Sequence, residues 1–280
     1  MITQTIIANE EMTLVKNDRA FFETLGQNYP VHPQVTVTET SVANVKSFWF
    51  KPKNEKGNNL VIYLHGGGFM MGNINSHKAM VSHFANALGS TILFVEYSLA
   101  PEHPFPTAKN EVLAVYEELL ERFPEHRISF IGDSAGGGLT VTTIYDIIQA
   151  QLKLPATVSL ISPWLNMKAN TEAYKTRKEL DPIINEKEVR RYINYYAAEA
   201  GSLADPDEMD FDKFPPVFLL VGTNEILFDD AKNFYAYIKT VQPKAQFKEY
   251  ENQLHVWPLA DINSEKAKAA LQDIVTFVNN

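Results

Sequence analysis

A serine, a histidine and a carboxylate, the three groups that together can activate a hydroxyl as a nucleophile, each stand just beyond an expected strand in this chain. The serine is Ser134, within Gly132-Asp133-Ser134-Ala135-Gly136, a G-x-S-x-G pattern. The run Ile128-Ser129-Phe130-Ile131 leads in as a buried strand, and the apolar stretch after Ser134 reads as a buried helix over 135–150. A strand that stops on a glycine-flanked serine and turns at once into a helix lifts that side chain above the sheet as an exposed nucleophile. The glycines let two backbones pass closely without a Cβ clash. The helix start adds free N–H groups and a positive dipole end, both favourable to an oxyanion. Glycine and serine also mark ordinary strand-to-helix turns, so the rest of the chain has to agree.

His255 follows the strand expected at 247–250, in Leu254-His255-Val256-Trp257. A neutral imidazole there can take the serine proton and return it to a leaving group. His32, His77, His83, His103 and His126 have no strand end before them and read as surface or capping residues. The acid is expected after the strand 217–221, in Gly222-Thr223-Asn224-Glu225-Ile226-Leu227-Phe228-Asp229-Asp230. Asp229 and Asp230 look like the start of the next helix, where capping and the dipole favour anions. Glu225 is nearer the strand end and is preferred as the group that orients His255 and stabilises its imidazolium. His65-Gly66-Gly67-Gly68 follows the apolar strand 60–64. Three glycines there make either a tight turn or a loop whose N–H groups converge on one spot, with His65 holding the loop.

The elements that must position these residues alternate along the chain. Strands are expected at 35–39, 45–50, 60–64, 91–95, 128–131, 158–161, 217–221 and 247–250. Helices fall at 77–88, from a cap at Thr107 through Phe123, at 135–150, at 229–241 and after Ser264. Strand–helix alternation implies an α/β fold, a mainly parallel sheet covered on both faces, with chemistry at the carboxyl ends of the strands. Residues 164–213 interrupt the alternation, with Val189, Tyr192, Ile193 and Tyr196 at helical spacing over 188–199. So long a connection suits a lid. Residues 1–34 carry a broken helical stripe of Leu14, Asp18, Phe21, Phe22 and Leu25, ended by Gly26, and pair naturally with that lid. No repeat or linker divides residues 1–280.

Composition narrows the function classes. The 280 residues are 45% hydrophobic and 21% charged, as a folded globular chain requires. A net charge of −9 argues against nucleic-acid or anionic-membrane partners. No cysteine is present, which removes disulfides, thiolate metal sites and a cysteine nucleophile. H-E-x-x-H is absent too, which disfavours metal-dependent hydrolysis. No secretory leader or membrane span is visible, so a cytoplasmic protein is the expectation. Exposed apolar edges on the last strand or helix would suit a homodimer, although the sequence itself shows none.

Three motifs in order, His65-Gly66-Gly67-Gly68-Phe69, then Tyr97-Ser98-Leu99-Ala100-Pro101-Glu102-His103-Pro104-Phe105-Pro106, then Gly132-Asp133-Ser134-Ala135-Gly136-Gly137, resemble the bacterial hormone-sensitive-lipase-like esterases. The resemblance runs from about residue 45 to the C-terminus. It implies an α/β-hydrolase fold with an eight-stranded, mostly parallel sheet and a small helical cap made of residues 1–34 and 164–213. It implies a Ser134–Glu225–His255 triad and neither cofactor nor metal. In this superfamily the glycine loop joins the N–H after the nucleophile, which makes Gly67, Gly68 and Ala135 the oxyanion donors. The implied reaction is hydrolysis of short- to medium-chain acyl esters, small-molecule substrates, through an acyl-enzyme. An amidase or formamidase would use the same residues, and a ligand-binding protein that lost the chemistry would have lost Ser134 or His255. Two departures stand out. The family usually has Asp where this chain has Glu225, and often Asn where it has Gly138. The Tyr97–Pro106 stretch reads as a rigid loop fixed by prolines.

Overall fold

The computed structural model describes residues 2–280, with side chains from residue 10 onward. The strands are β1 (Val35–Val42), β2 (Val45–Pro52), β3 (Asn59–Leu64), β4 (Thr91–Val95), β5 (Arg127–Asp133), β6 (Val158–Ile161), β7 (Val217–Gly222) and β8 (Gln246–Tyr250). They form one sheet in the order β1-β2-β4-β3-β5-β6-β7-β8. β2 runs antiparallel to both of its neighbours, and all pairs from β4 across to β8 are parallel. The helices are α1 (Ile2–Thr24), α2 (Ile74–Leu88), α3 (Thr107–Arg122), α4 (Ala135–Gln149), α5 (Ala173–Thr176), α6 (Glu186–Ala197), α7 (Phe228–Val241), α8 (Trp257–Ala260) and α9 (Glu265–Asn279). Among them no described helix is long and apolar enough to cross a membrane.

Continuous apolar runs became interior strands because both of their faces are covered. Every residue of β7 is buried, as are all but the first residues of β3, β4 and β5. Successive side chains go to opposite faces. Ile62 and Leu64 join a core with Val112, Leu139 and Phe234 from α3, α4 and α7. Val61 and Tyr63 join the other core, with Phe84 and Ile274 from α2 and α9. At the sheet edge, β8 exposes Lys248 and Glu249, which discourages further strand pairing.

The starts of α2 and α3 differ from the sequence reading for a reason visible at their caps. α2 begins at Ile74 instead of His77, because Asn73 accepts from Asn75 and Ser76 backbone N–H groups while the Ser76 hydroxyl accepts from Asn73 N. This reciprocal cap fixes the first turn. Thr107 is the first helical residue of α3 and not its cap, since Pro106 takes that position.

The insertion between β6 and β7 carries α5 and α6, with Asn185 capping α6 through the Glu188 N–H. Three acids pin it to the body, and a fourth, Asp205, braces it internally. Asp229 accepts from Ala173 N (2.8 Å), Asp230 from the Thr171 hydroxyl (3.2 Å), Asp181 from Ile226 N (3.0 Å) and Asp205 from Met167 N (3.0 Å). α1 meets α6 through the Asp18–Arg191 ion pair at 2.6 Å.

Candidate active site

Ser134 sits between β5 and α4 with φ 50° and ψ −121°, a conformation that side chains other than glycine rarely adopt. The turn is held because Ser134 N donates to Ile161 O (2.9 Å) and Ser134 O accepts from Gly137 N (2.9 Å) and Trp164 N (3.0 Å). Gly136 is required: a Cβ there would strike the backbone carbonyls at the end of β3. Gly138 occupies a similarly tight place, since a Cβ would collide with the Trp164 carbonyl. That contact gives a physical reason for glycine where the resembled family often has asparagine.

Three loops at the carboxyl ends of the strands converge on Ser134. His255 Nε2 lies 2.8 Å from Ser134 Oγ, and His255 Nδ1 lies 3.0 Å from Glu225 Oε2. A carboxylate on Nδ1 fixes the tautomer that leaves Nε2 free to accept the serine proton. Glu225 is fully buried and folds back on its own strand end, where Oε1 accepts from Gly222 N (2.5 Å) and the Ser162 hydroxyl (2.7 Å). This fold-back takes up the length by which Glu exceeds Asp. Gly222 makes room for it, because a Cβ would lie 2.9 Å from Glu225 Oε1 and clash with Gln253 O. The competing acids are elsewhere: Asp229 and Asp230 lie in the first turn of α7 and hold the insertion.

Burial disfavours a charged His255, but the hydrogen bond and charge of Glu225, followed by the charges of Asp181 and Asp133, outweigh it and raise its pKa above the usual value. Burial pushes the Glu225 carboxyl up, against the donors His255, Ser162 and Gly222. The imidazole is therefore a stronger base than a free one, and more of it is protonated at a given pH.

The glycine loop after β3 closes on itself, with Met70 N and Met71 N both donating to Gly67 O (3.2 and 2.8 Å). Gly67 has φ 117° and Gly68 φ 63°. The N–H groups of Gly67, Gly68 and Ala135 donate to no acceptor among the described residues. Gly67, Gly68, Ser134 and His255 line one cavity of about 340 Å³, whose walls include Phe21 and Phe22 of α1, Trp164, Tyr192 of α6 and Leu227. The cavity is mostly apolar, with a few polar groups that include Ser134 and His255 and, on the cap helices, Asp18 and Glu188, as small-molecule sites are. Gly67→Ala would force a side chain onto φ 117° and into the Met71 carbonyl, turning the loop donors away. Its kcat should fall about 100-fold with KM little changed, because such donors act on charge that develops in the transition state. Steady-state kinetics on a p-nitrophenyl ester checks this, and an unchanged kcat would count against these donors.

His65 is buried as a loop-holding residue would be. Its Nδ1 is 2.8 Å from Gly66 O, its ring stacks on Tyr97 at 4.2 Å, and burial beside His77 lowers its pKa to about 3, so it is neutral. His77, expected as a surface or capping residue, is fully buried. Its Nε2 lies 3.5 Å from Asp133, and its Nδ1 lies 2.8 Å from the Ser76 hydroxyl. Its ring lies beside Tyr63, His65 and Phe94. Three residues that sequence reasoning passed over also serve the site. Asp133 accepts from Gly66 N (3.0 Å) and the Tyr63 hydroxyl (2.7 Å), joining the serine turn to the glycine loop. Burial pushes its carboxyl up, but His77, Tyr63 and His65 bring it below the usual value. Ser162 donates to Glu225 and accepts from Val256 N (3.1 Å), so it ties the acid to the histidine loop. Asp181 holds the backbone beside Glu225 at Ile226. Ser162 had one legible signal, its place directly after the buried run 158–161.

The chain is similar to known proteins. A family model described as "alpha/beta hydrolase fold" matches residues 61–259. An acetyl-hydrolase of Streptomyces hygroscopicus is 34% identical over 235 residues, covering 82% of this chain and 77% of that protein. An esterase of Acinetobacter venetianus is 27% identical across 100% of this chain and 94% of its own length. Among solved structures, an esterase from the bacterial hormone-sensitive lipase family superposes with a TM-score of 0.91 at 31% identity, covering 94% of this chain and 90% of that one.

Proposed function

The chain belongs to the bacterial hormone-sensitive-lipase-like esterases of the α/β-hydrolase superfamily, and on that premise we propose that it is a serine carboxylesterase for short- to medium-chain acyl esters. The observation that carries this reading is the hydrogen-bonded line from Ser134 Oγ through His255 to Glu225 beside three free N–H donors.

In this mechanism Ser134 Oγ attacks the ester carbonyl carbon while His255 Nε2 takes its proton. The carbonyl oxygen becomes an oxyanion held by the N–H groups of Gly67, Gly68 and Ala135. The tetrahedral intermediate collapses, the C–O bond to the alcohol breaks, and His255 gives the proton to the departing alkoxide. Water, deprotonated by the same nitrogen, then attacks the acyl-enzyme, the bond from the acyl carbon to Ser134 Oγ breaks, and His255 returns the proton to Ser134 as the carboxylic acid forms. Glu225 keeps the imidazole oriented and stabilises its cation in both halves. The apolar cavity of about 340 Å³ supports a small acyl group. α1 and the insertion 164–213 act as its cap, since Phe21, Phe22, Trp164 and Tyr192 wall it. The relatives' names, esterase and acetyl-hydrolase, favour esters over the amides that the same residues would suit.

A panel of p-nitrophenyl esters of increasing acyl length tests the proposal, with Ser134→Ala as control. Turnover should be highest on acetate to butyrate, fall on longer chains and vanish in the control. Activity that rises steadily into long acyl chains would overturn the small pocket.

A further inference from the structure

We infer that Arg19, on the N-terminal helix α1, is a positioning residue that holds the oxyanion loop in its working shape, so that the loop is assembled only when α1 is seated. The inference rests on the esterase reading for its kinetic consequence and on geometry alone for the coupling. The Arg19 guanidinium makes four hydrogen bonds. Nε donates to Met70 O (2.8 Å), one terminal nitrogen to Glu102 Oε1 (2.8 Å), and the other to Glu102 Oε2 (2.7 Å) and Ala100 O (3.0 Å). Met70 lies directly after Gly67-Gly68-Phe69, and its own N–H closes the turn on Gly67 O. Ala100 and Glu102 belong to the Tyr97–Pro106 stretch, to which the reaction assigns no step.

That stretch grips the loop from the other side. Tyr97 Oη donates to His65 O (2.6 Å), and Ala100 N donates to Phe69 O (2.9 Å). It also reaches the insertion, where Phe105 N donates to Tyr196 O (2.8 Å) and the Tyr196 ring stacks on Phe69 at 3.7 Å. Among these contacts the loop from Gly66 onward has three fixed points beyond its own turn: the Asp133 carboxylate at Gly66, the Ala100 N–H at Phe69 and Arg19 at Met70. The first two come from the body. The third comes from α1. A guanidinium suits the task because its planar fork can bind a carboxylate in two places while its remaining N–H groups meet carbonyls. An ammonium on a flexible stem offers no such fork. Gly67 and Gly68 have open backbone choices of their own, so a loop released at Met70 would keep its chain path and lose the convergence of its N–H groups. The other contacts of α1, Asp18 with Arg191 and Glu23 with Asn73 and Asn75, keep the helix in place without Arg19.

The test uses full-length Arg19→Ala and Arg19→Lys. On p-nitrophenyl butyrate both should lose tenfold or more in kcat with KM within about twofold of the parent. A wall-building role for Arg19 would move KM instead, because α1 contributes Phe21 and Phe22 to the cavity. Amide hydrogen exchange supplies a readout independent of turnover: residues 66–72 should exchange faster in both variants while residues 14–24 keep their protection. Unchanged exchange at 66–72, or a KM effect with kcat intact, overturns the coupling. Should Arg19→Ala fail to fold, Arg19→Lys decides, since full kcat in that variant also overturns it. If the parent hydrolyses no ester, the esterase reading fails while the exchange measurement still judges the clamp.

Discussion

Ser134→Ala should lower kcat on p-nitrophenyl butyrate by roughly 10⁴- to 10⁶-fold, with the melting temperature unchanged. The two halves of that expectation have separate grounds. The hydroxyl is the only group removed, and among the described residues Ser134 Oγ has one hydrogen-bond partner, His255 Nε2. It does not cap α4. Alanine keeps the Cβ, so the cost of holding φ at 50° is already present in the parent and does not grow. Turnover falls because no covalent intermediate can form and the reaction reverts to direct attack by water. What survives comes from the N–H groups of Gly67, Gly68 and Ala135 acting on that attack, which is why the loss stops short of the uncatalysed rate. A fluorophosphonate should label the parent and leave the variant unlabelled. Labelling of the variant, or turnover within tenfold of the parent, would place the nucleophile elsewhere.

The residues of this site differ in how far the sequence reveals them. Ser134 and Glu225 are legible because each follows a buried strand, and buried strands announce themselves as apolar runs such as Leu60–Leu64 and Val217–Val221, while His255 follows the edge strand β8 and is marked by its place in chain order. The alternation of such runs with helical stripes also carries the sheet and its two covered faces. Glu225 is separable from Asp229 and Asp230 by its nearness to the strand end, and the structure puts its carboxyl at His255 and theirs at Thr171 and Ala173. The supporting residues are illegible for a different reason. Ser162 meets Glu225 across 63 residues and Asp133 meets Gly66 across 67, so no local period marks them. His77 is equally illegible, because what buries its ring are Tyr63 and Phe94, on two separate strands. The Arg19 contacts span 51 to 83 residues, and only the fold joins them.

Glu225→Gln should cost roughly 10⁴-fold in kcat and leave KM near the parent value. The side chain keeps its shape, so the fold-back onto Gly222 and Ser162 can persist. What changes is the atom facing Nδ1. A carboxylate accepts the Nδ1 proton and leaves Nε2 as the base, whereas an amide that turns its NH₂ toward Nδ1 donates to it and drives the proton onto Nε2, where it blocks the serine. The pH profile separates this from simple misfolding. Only neutral His255 can accept the serine proton, so activity is lost as pH falls through its pKa. In the parent the carboxylate lifts that pKa against burial, and the acid limb of kcat/KM should lie above the free-imidazole value of 6.5. Without the negative charge, burial dominates and the pKa drops, so the limb of the residual activity should move to lower pH. A limb that stays where the parent has it would mean that the buried carboxyl at Glu225 does not govern the base. Glu225→Asp makes the same point from geometry. One methylene shorter, it cannot reach His255 while holding both Gly222 and Ser162, so its kcat should fall between the parent and Glu225→Gln with the limb still high, because the charge remains near the ring.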